Sequence, residues 1–476
     1  MTPTVPGHPR ASVPAVTSPI ASRRDVLAAL AAMAAGAACS TDAKASSAST
    51  TARPRSTSST STSSTSTTLP VRRFGPGDRP DPKRPEGVDT MPEIEHVIIY
   101  MQENQSYDSH FGMLGRGDGF TLDASGKPTN SNPGADGAPV VVNRAASTCA
   151  LDGGGQNWNS TMKQVAGGAM SGFAAEAPGA MQYLAPEDLP FYAGLADTFV
   201  LCDRWFASAP AQTHPNRRFL QAGTSVGIIR TSVAAVMQAP DAPNGTIWDR
   251  LNAHGISWAD YALDLPDILL FPNVFAANKD KIHSTADFLR DCASGSLPAV
   301  SIVSPGDKQF TEETDDVARG EAFTAMVVNA VMASPAWEKT VMFFMYDEHG
   351  GMYDHVPPPP AIKPDDIAPI LEPGDSPGEF DRYGIRVPAV VISPFAKKDH
   401  VSHVVHDHTS VLKFIETKWN LGAMTFRDAN ASDLTDCLDV RAAAFREPPT
   451  LPAPALTDGV SVCKPGGPPL PTPSPA

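Results

Sequence analysis

Several of the apolar residues gather in short unbroken runs rather than in helical stripes. The clearest run is Val341-Met342-Phe343-Phe344-Met345-Tyr346, which leads straight into Asp347, Glu348, His349, Gly350 and Gly351. A run of that length, too short for a membrane span and without a 3.6-residue period, reads as a buried parallel strand. The polar cluster then sits at the strand's carboxyl end, where open α/β sheets place their ligands. Glycine after it allows a tight turn or a close approach of the backbone. Residues 94–108 repeat the design, with Val97-Ile98-Ile99-Tyr100-Met101 leading to Gln102, Glu103 and Asn104. Two strands that deliver oxygen ligands to one sheet edge suggest a site for a hard cation.

Apolar runs at 95–101, 198–203, 256–261, 298–304, 339–346 and 387–393 are the strand candidates, and helical patterns lie between them, as from Arg319 to Met332 and from Thr409 to Trp419. Strands alternating with helices argue for an α/β fold with a mostly parallel sheet. After the run Phe199-Val200-Leu201-Cys202, a loop reaches Thr213-His214-Pro215-Asn216-Arg217. Pro215 suits the first turn of a helix. Thr213 then has two readings. It is the N-cap of that helix, or it is a nucleophilic hydroxyl at a helix N-terminus, beside a metal and facing a bound anion. Gly223-Thr224-Ser225-Val226-Gly227 satisfies G-x-S-x-G. That motif needs a strand before it and a helix after it, and here a helical stretch precedes and Ile228-Ile229 follows, so it reads as a chance match.

The ends of the chain read differently from its middle. Arg23-Arg24 precede an Ala-rich apolar run that stops at Cys39, so residues 1–39 read as a twin-arginine export signal. The run is too short to cross a bilayer. Gly36-Ala37-Ala38-Cys39 is similar to a lipoprotein lipobox, with an ordinary signal-peptidase site as its rival. Export predicts a protein that is secreted or anchored at the cell envelope. Residues 40–85 form a Ser/Thr-rich linker expected to stay disordered. Residues 86–447 have globular composition, and 448–476 form a Pro-rich irregular tail. Lys plus Arg number 37 against 52 Asp plus Glu, a net charge of -15. That balance argues against nucleic acid as a partner. The six cysteines show no CxxC spacing, so a zinc ribbon is not expected. One or two disulfides and a free thiol are expected instead, with Cys437–Cys463 the anticipated pair because it would pin the tail.

The stretches Glu95 to Gly112, Glu187 to Tyr192, Thr213 to Arg217, Tyr346 to Gly351, Asp354 to Pro358, Arg386 to Pro388 and Asp407 to Leu412 form an ordered set. In order and spacing, over roughly residues 93–425, they resemble the bacterial phosphoesterase family of secreted phospholipases C and the related acid phosphatase. The resemblance implies an alkaline-phosphatase-like fold, a three-layer α/β/α sandwich around a mostly parallel sheet. It also implies phosphoryl transfer. Glu103, Asn104, Asp347 and Glu348 would bind one divalent metal ion together with the hydroxyl of Thr213, the nucleophile. His355 and His408 are the candidates to protonate the leaving group or to hold a phosphoryl oxygen. Oxygen-dominated ligation favours calcium, magnesium or manganese, and the nearby histidines leave zinc open. His349 is expected to bridge its turn, and Asp108 and His110 to hold the loop after the first strand.

The implied partner is a phospholipid or a small phosphate ester, with membrane contact only through the substrate or an N-terminal lipid anchor. Two positions depart from the family pattern. Gln156 stands where relatives carry a His before the Trp, here Trp158, and Thr311-Glu312-Glu313-Thr314 lacks a second family His. The expected function is therefore an exported metal-dependent phosphoesterase, phospholipase C first. An acid phosphatase and a surface lipoprotein that only binds are the alternatives.

Overall fold

All six apolar runs become strands of one eight-stranded sheet in the computed structural model, which describes residues 70–149, 151–306, 310, 316–461, 463 and 469–474. The export signal, Cys39, the linker before residue 70 and Thr311 to Thr314 lie outside the described residues. The strands are β1 (His96–Gln102), β2 (Val200–Cys202), β3 (Trp258–Ala262), β4 (Ile282–Ser284), β5 (Val300–Ser304), β6 (Thr340–Tyr346), β7 (Ala389–Ile392) and β8 (Val401–Ser402). Their order across the sheet is β8-β2-β7-β6-β1-β5-β3-β4. Every neighbouring pair is parallel except the two that involve β7. The edge strands β4 and β8 are too short to leave a pattern in the sequence.

Helices cover both faces of the sheet. The ones that matter here are α1 (Pro190–Thr198), α2 (Thr213–Ala222), α3 (Ile247–Ala253), α4 (Val317–Met332) and α5 (His408–Trp419). On one face Tyr100 stacks on Phe323 of α4, and Phe344 stacks on Tyr192 of α1. On the other, Phe343 meets Phe414 of α5 edge-on and Trp258 packs on Trp248 of α3. Adjacent residues of β6 thus point to opposite helical layers, which is why the strand is apolar throughout rather than alternating. Val97 to Met101 and Val341 to Tyr346 are all at most 1% exposed. Among the described residues no helix is long and apolar enough to cross a membrane.

Two expectations change here. Residues 70–85, assigned to the linker by composition, pack on the domain. Gly77 N–H donates to Ala423 O (2.8 Å), and Asn420 Nδ2 donates to the carbonyls of Asp81, Arg84 and Pro85. Composition counts a segment's own apolar residues and misses hydrogen bonds supplied by side chains far along the chain. The tail from 448 to 461 has no helix or strand but is tied down, with Ala455 N–H donating to Glu321 Oε2 (2.7 Å) and Arg319 Nε to Gly459 O (2.9 Å). Cys463 bonds to Cys149, not to Cys437. The tail is pinned as anticipated, but the fold carries residue 149 to it and buries Cys437 beside Cys202.

The G-x-S-x-G stretch follows α2 and its left-handed cap Gly223, with no strand before it. Ser225 is fully buried, so its hydroxyl cannot meet a substrate.

Candidate active site

The last paired residues of β1 and β6 are Gln102 and Tyr346, so Glu103-Asn104 and Asp347-Glu348 leave adjacent strands at the same level. Asp347 N–H donates to Gln102 O (3.1 Å), and Asn104 N–H donates to Asp347 Oδ1 (3.1 Å). Asn104 has φ +71°, a left-handed conformation that costs energy outside glycine and collects at functional sites. Gly350 is what lets it sit there. Gly350 itself has φ +62°, and a Cβ on it would lie 2.0 Å from Asn104 O. Gly350→Ala is therefore expected to displace Asn104 and to cost activity by about 100-fold. Kinetics on a variant shown by circular dichroism to be folded would check this.

Both polar atoms of the Asn104 side chain, Oδ1 and Nδ2, are buried and have no hydrogen-bond partner among the described residues. Buried polar groups are nearly always paired, so an orphaned amide with oxygen-bearing neighbours is what a cation ligand looks like when only protein atoms are considered. The donor set of Glu103, Asn104, Asp347, Glu348 and Thr213 consists of oxygens and fits a hard divalent ion in chemistry. In geometry the carboxylates stand further apart: among the described residues, the acidic, His and Cys side chains that converge within 4.8 Å form three other groups. Arg217 stands between them. Its Nε meets Asp347 Oδ2 (3.1 Å), its Nη1 meets Asp267 Oδ1 (2.8 Å), and its Nη2 lies 3.6 Å from Glu103 Oε1. Burial raises the Asp347 carboxyl above its ordinary range, against the pull of Arg217 and of the Asn104 and Glu348 N–H groups.

Thr213 is the first helical residue of α2. The cap is Gln212, and no side chain makes a capping bond, so the Thr213 hydroxyl is not spent as an N-cap. It lines one cleft with Glu103, His214, Arg217, Asp267 and Ser304.

His408 takes another part. Its Nε2 lies 2.8 Å from Asp347 O, and the indole N–H of Trp205 approaches its Nδ1 at 3.4 Å. A carbonyl only accepts and an indole N–H only donates, so the ring is the neutral Nε2–H tautomer. Complete burial pulls its pKa down to about 4. Nε2–H holds the Asp347 carbonyl and Nδ1 accepts from Trp205, which leaves neither nitrogen for proton transfer.

His355 belongs to a network of its own. Its Nδ1 is 2.7 Å from Asp108 Oδ2 and its Nε2 3.4 Å from Asp118 Oδ1. Arg386, fully buried, ties Asp108 (3.1 Å) to Asp354 (2.9 Å) behind it. Burial lowers the His355 pKa, but the hydrogen bond and charge of Asp108, with Asp354, outweigh it and hold the value up at about 8. His349 bridges its turn, 3.3 Å from Glu348 Oε2 and 2.7 Å from Gln164 Oε1. Gly154 N–H donates to Gly351 O (3.2 Å), which brings the loop that precedes Gln156 beside that turn.

The fold thus gathers Glu103, Thr213 and Arg217 in one cleft and joins Asn104 to Asp347. It places His408 in support of Asp347 and His355 in a separate acidic network. Arg217 and Asp267 were not singled out from the sequence. Arg217 lies four residues after Thr213, the spacing that puts two helical residues on one face, and that was its only signal. Asp267 had none.

Comparisons with known proteins give the chain its family. The model of the Phosphoesterase family matches residues 94–422. Non-specific phospholipase C1 of Arabidopsis thaliana is 31% identical over 73% of this chain and 71% of its own length. Non-specific phospholipase C6 of the same plant is 30% identical over 72% of each. The non-hemolytic phospholipase C of Pseudomonas aeruginosa is 29% identical over 77% of this chain and 59% of its own. A solved structure of a protein in the alkaline phosphatase superfamily from Vibrio parahaemolyticus aligns with a TM-score of 0.39 and 12% identity, over 75% of this chain and 72% of that one. The family match spans both strand-end clusters and the helix that begins at Thr213, and the chain belongs to the Phosphoesterase family of phosphoric ester hydrolases.

Proposed function

We propose that the chain is a metal-dependent phospholipase C that cleaves a phospholipid phosphodiester through Thr213. The observation that carries this reading is a helix-start hydroxyl, not used for capping, in one cleft with Glu103 and Arg217. The phospholipase C names of the relatives support the diester over the monoester. Glu103, Asn104, Asp347, Glu348 and the Thr213 hydroxyl would hold a divalent ion, which when bound lowers the pKa of the hydroxyl and offsets charge on the phosphoryl oxygens. Thr213 Oγ1 attacks phosphorus, and the bond to the glycerol oxygen breaks. The Thr213 N–H at the start of α2 and the Arg217 guanidinium stabilise the phosphoryl oxygens. Water then hydrolyses the phosphothreonine and frees the phosphorylated head group. His408 orients Asp347. The twin-arginine signal would deliver the protein outside the cytoplasm, secreted or held at the envelope through Cys39.

The deciding experiment compares p-nitrophenyl phosphorylcholine with p-nitrophenyl phosphate, with and without a chelator. Faster, chelator-sensitive release from the diester is expected. A preference for the monoester would make the protein a phosphatase, and no release from either would favour a surface lipoprotein that only binds.

His355 is proposed to protonate the leaving alkoxide. With a pKa held up at about 8 it carries its proton at neutral pH, so the rate should hold below that value and fall as pH rises through it. His355→Gln should lower kcat by about 10²- to 10⁴-fold and abolish that alkaline limb. Stability carries the same sign. The folded value lies above the ordinary 6.5, so the contribution of His355 is complete below 6.5 and is lost as pH rises through about 8. An unchanged alkaline limb in the variant would remove His355 from the mechanism.

A further inference from the structure

A second cluster of metal-ligating side chains lies outside the cleft. Cys202 closes β2, Cys437 closes the short helical turn Thr435–Cys437, and His406 lies in the two-residue strand His406–Asp407 that precedes α5. The two sulfurs are 4.0 Å apart, and a ring nitrogen of His406 lies within 4.8 Å of both. All three residues are at most 1% exposed. His406 Nε2 is 3.0 Å from Ser402 Oγ and 3.5 Å from Asp436 Oδ1. Its Nδ1 is buried and has no hydrogen-bond partner among the described residues.

The spacing of the sulfurs separates two chemistries. Cys149 and Cys463 are joined in a disulfide, whereas Cys202 and Cys437 stay at 4.0 Å. Two thiolates about 2.3 Å from one tetrahedral zinc ion lie about 3.8 Å apart, close to what is seen. Two sulfurs with one imidazole form a soft donor set that selects zinc or copper(I) over calcium or magnesium. The Asp436 side chain, 29% exposed, lies against His406 Nε2, so it orients the ring and marks a way in from solvent. Thiol groups closed off from substrate, as these are, have no use as nucleophiles.

We propose that Cys202, Cys437 and His406 form a zinc site that clasps the 435–437 turn to β2. Binding forms two Zn–S bonds and one Zn–N bond, with water in the fourth position. The two thiol protons pass to solvent, and no atom changes oxidation state. The site also fixes the run His406-Asp407-His408, whose last member holds the Asp347 carbonyl. It stands independently of the phospholipase C reading.

Cobalt(II) tests it, because a thiolate-to-cobalt charge-transfer band in the near ultraviolet can arise only where sulfur binds the ion, and the phosphoesterase cleft holds no thiol. The full chain is titrated with cobalt(II) and then with zinc. A saturable band at about one cobalt per chain, displaced by zinc and missing in Cys202→Ser and in Cys437→Ser, is expected. No band in the parent protein, or an equal band in both variants, would overturn the proposal. Should the variants not fold, alkylation and peptide mapping of the parent protein still decide. Zinc-dependent protection of Cys202 and Cys437, but not of Cys292, supports the site, and a Cys202–Cys437 disulfide in the purified protein refutes it.

Discussion

Thr213→Ala is expected to lower kcat on p-nitrophenyl phosphorylcholine by roughly 10⁴- to 10⁶-fold, the scale on which removal of a covalent nucleophile is felt. Thr213→Ser should keep measurable activity, because a hydroxyl remains at the start of α2. Stability separates this outcome from a structural one. A side-chain N-cap replaced by Ala costs about 1 kcal/mol. Thr213 makes no such bond, since Gln212 holds the cap position, so its variant should unfold within about 0.5 kcal/mol of the parent protein. Steady-state rates and a denaturant titration on the same preparations check both statements. A fully active Thr213→Ala protein would end the nucleophile assignment, and an inactive but destabilised one would make Thr213 a structural residue.

Arg386→Met is expected to have the largest effect on stability. Arg386 is fully buried. Besides its contacts to Asp108 and Asp354 it donates to the carbonyls of Asp118 (3.0 Å) and Asp203 (2.9 Å), and it lies over the Tyr107 ring. Methionine fills much of the volume but strands two buried carboxylates without their cation. Breaking a buried ion pair from one side costs about 3–5 kcal/mol. The sign of the pH dependence follows from the same carboxylates. Burial already raises Asp354 to about 6 with Arg386 in place, the guanidinium opposing it. Without Arg386 the charged forms are more costly still, so the variant takes up its proton at a higher pH and its deficit narrows as pH falls toward about 6. Unfolding midpoints at pH 5 and pH 8 measure this, and equal deficits at both would mean that water reaches the pair. Because Asp108 also carries His355, the variant should lose the alkaline limb of the rate profile as well.

The cleft and the Arg386 network share one construction. In each, a strand end or its following loop supplies carboxylates, and a single arginine from elsewhere in the chain fills the space between them. The arginine fixes carboxylate positions that would otherwise repel, so Arg217 has a part in shaping the cleft.

Periodicity along the chain determined the strands of the sheet, the helix that starts at Thr213 and the placement of Glu103, Asn104, Asp347 and Glu348 at strand ends. A buried strand must be apolar on both faces, and a polar residue at its end must have a reason to be there, so both leave a local mark. Tertiary structure alone decided the rest. It set β7 antiparallel, added β4 and β8, and turned His408 from a candidate proton donor into a support for Asp347. It placed Arg217 and Asp267 in the cleft, drew residues 70–85 onto the domain and joined Cys149 to Cys463. It also brought Cys202 to Cys437 across most of the catalytic domain. Each of these is a contact between residues far apart in the chain. Which distant residues meet is set by the order of strands in the sheet, and no local pattern of apolar and polar positions encodes that order.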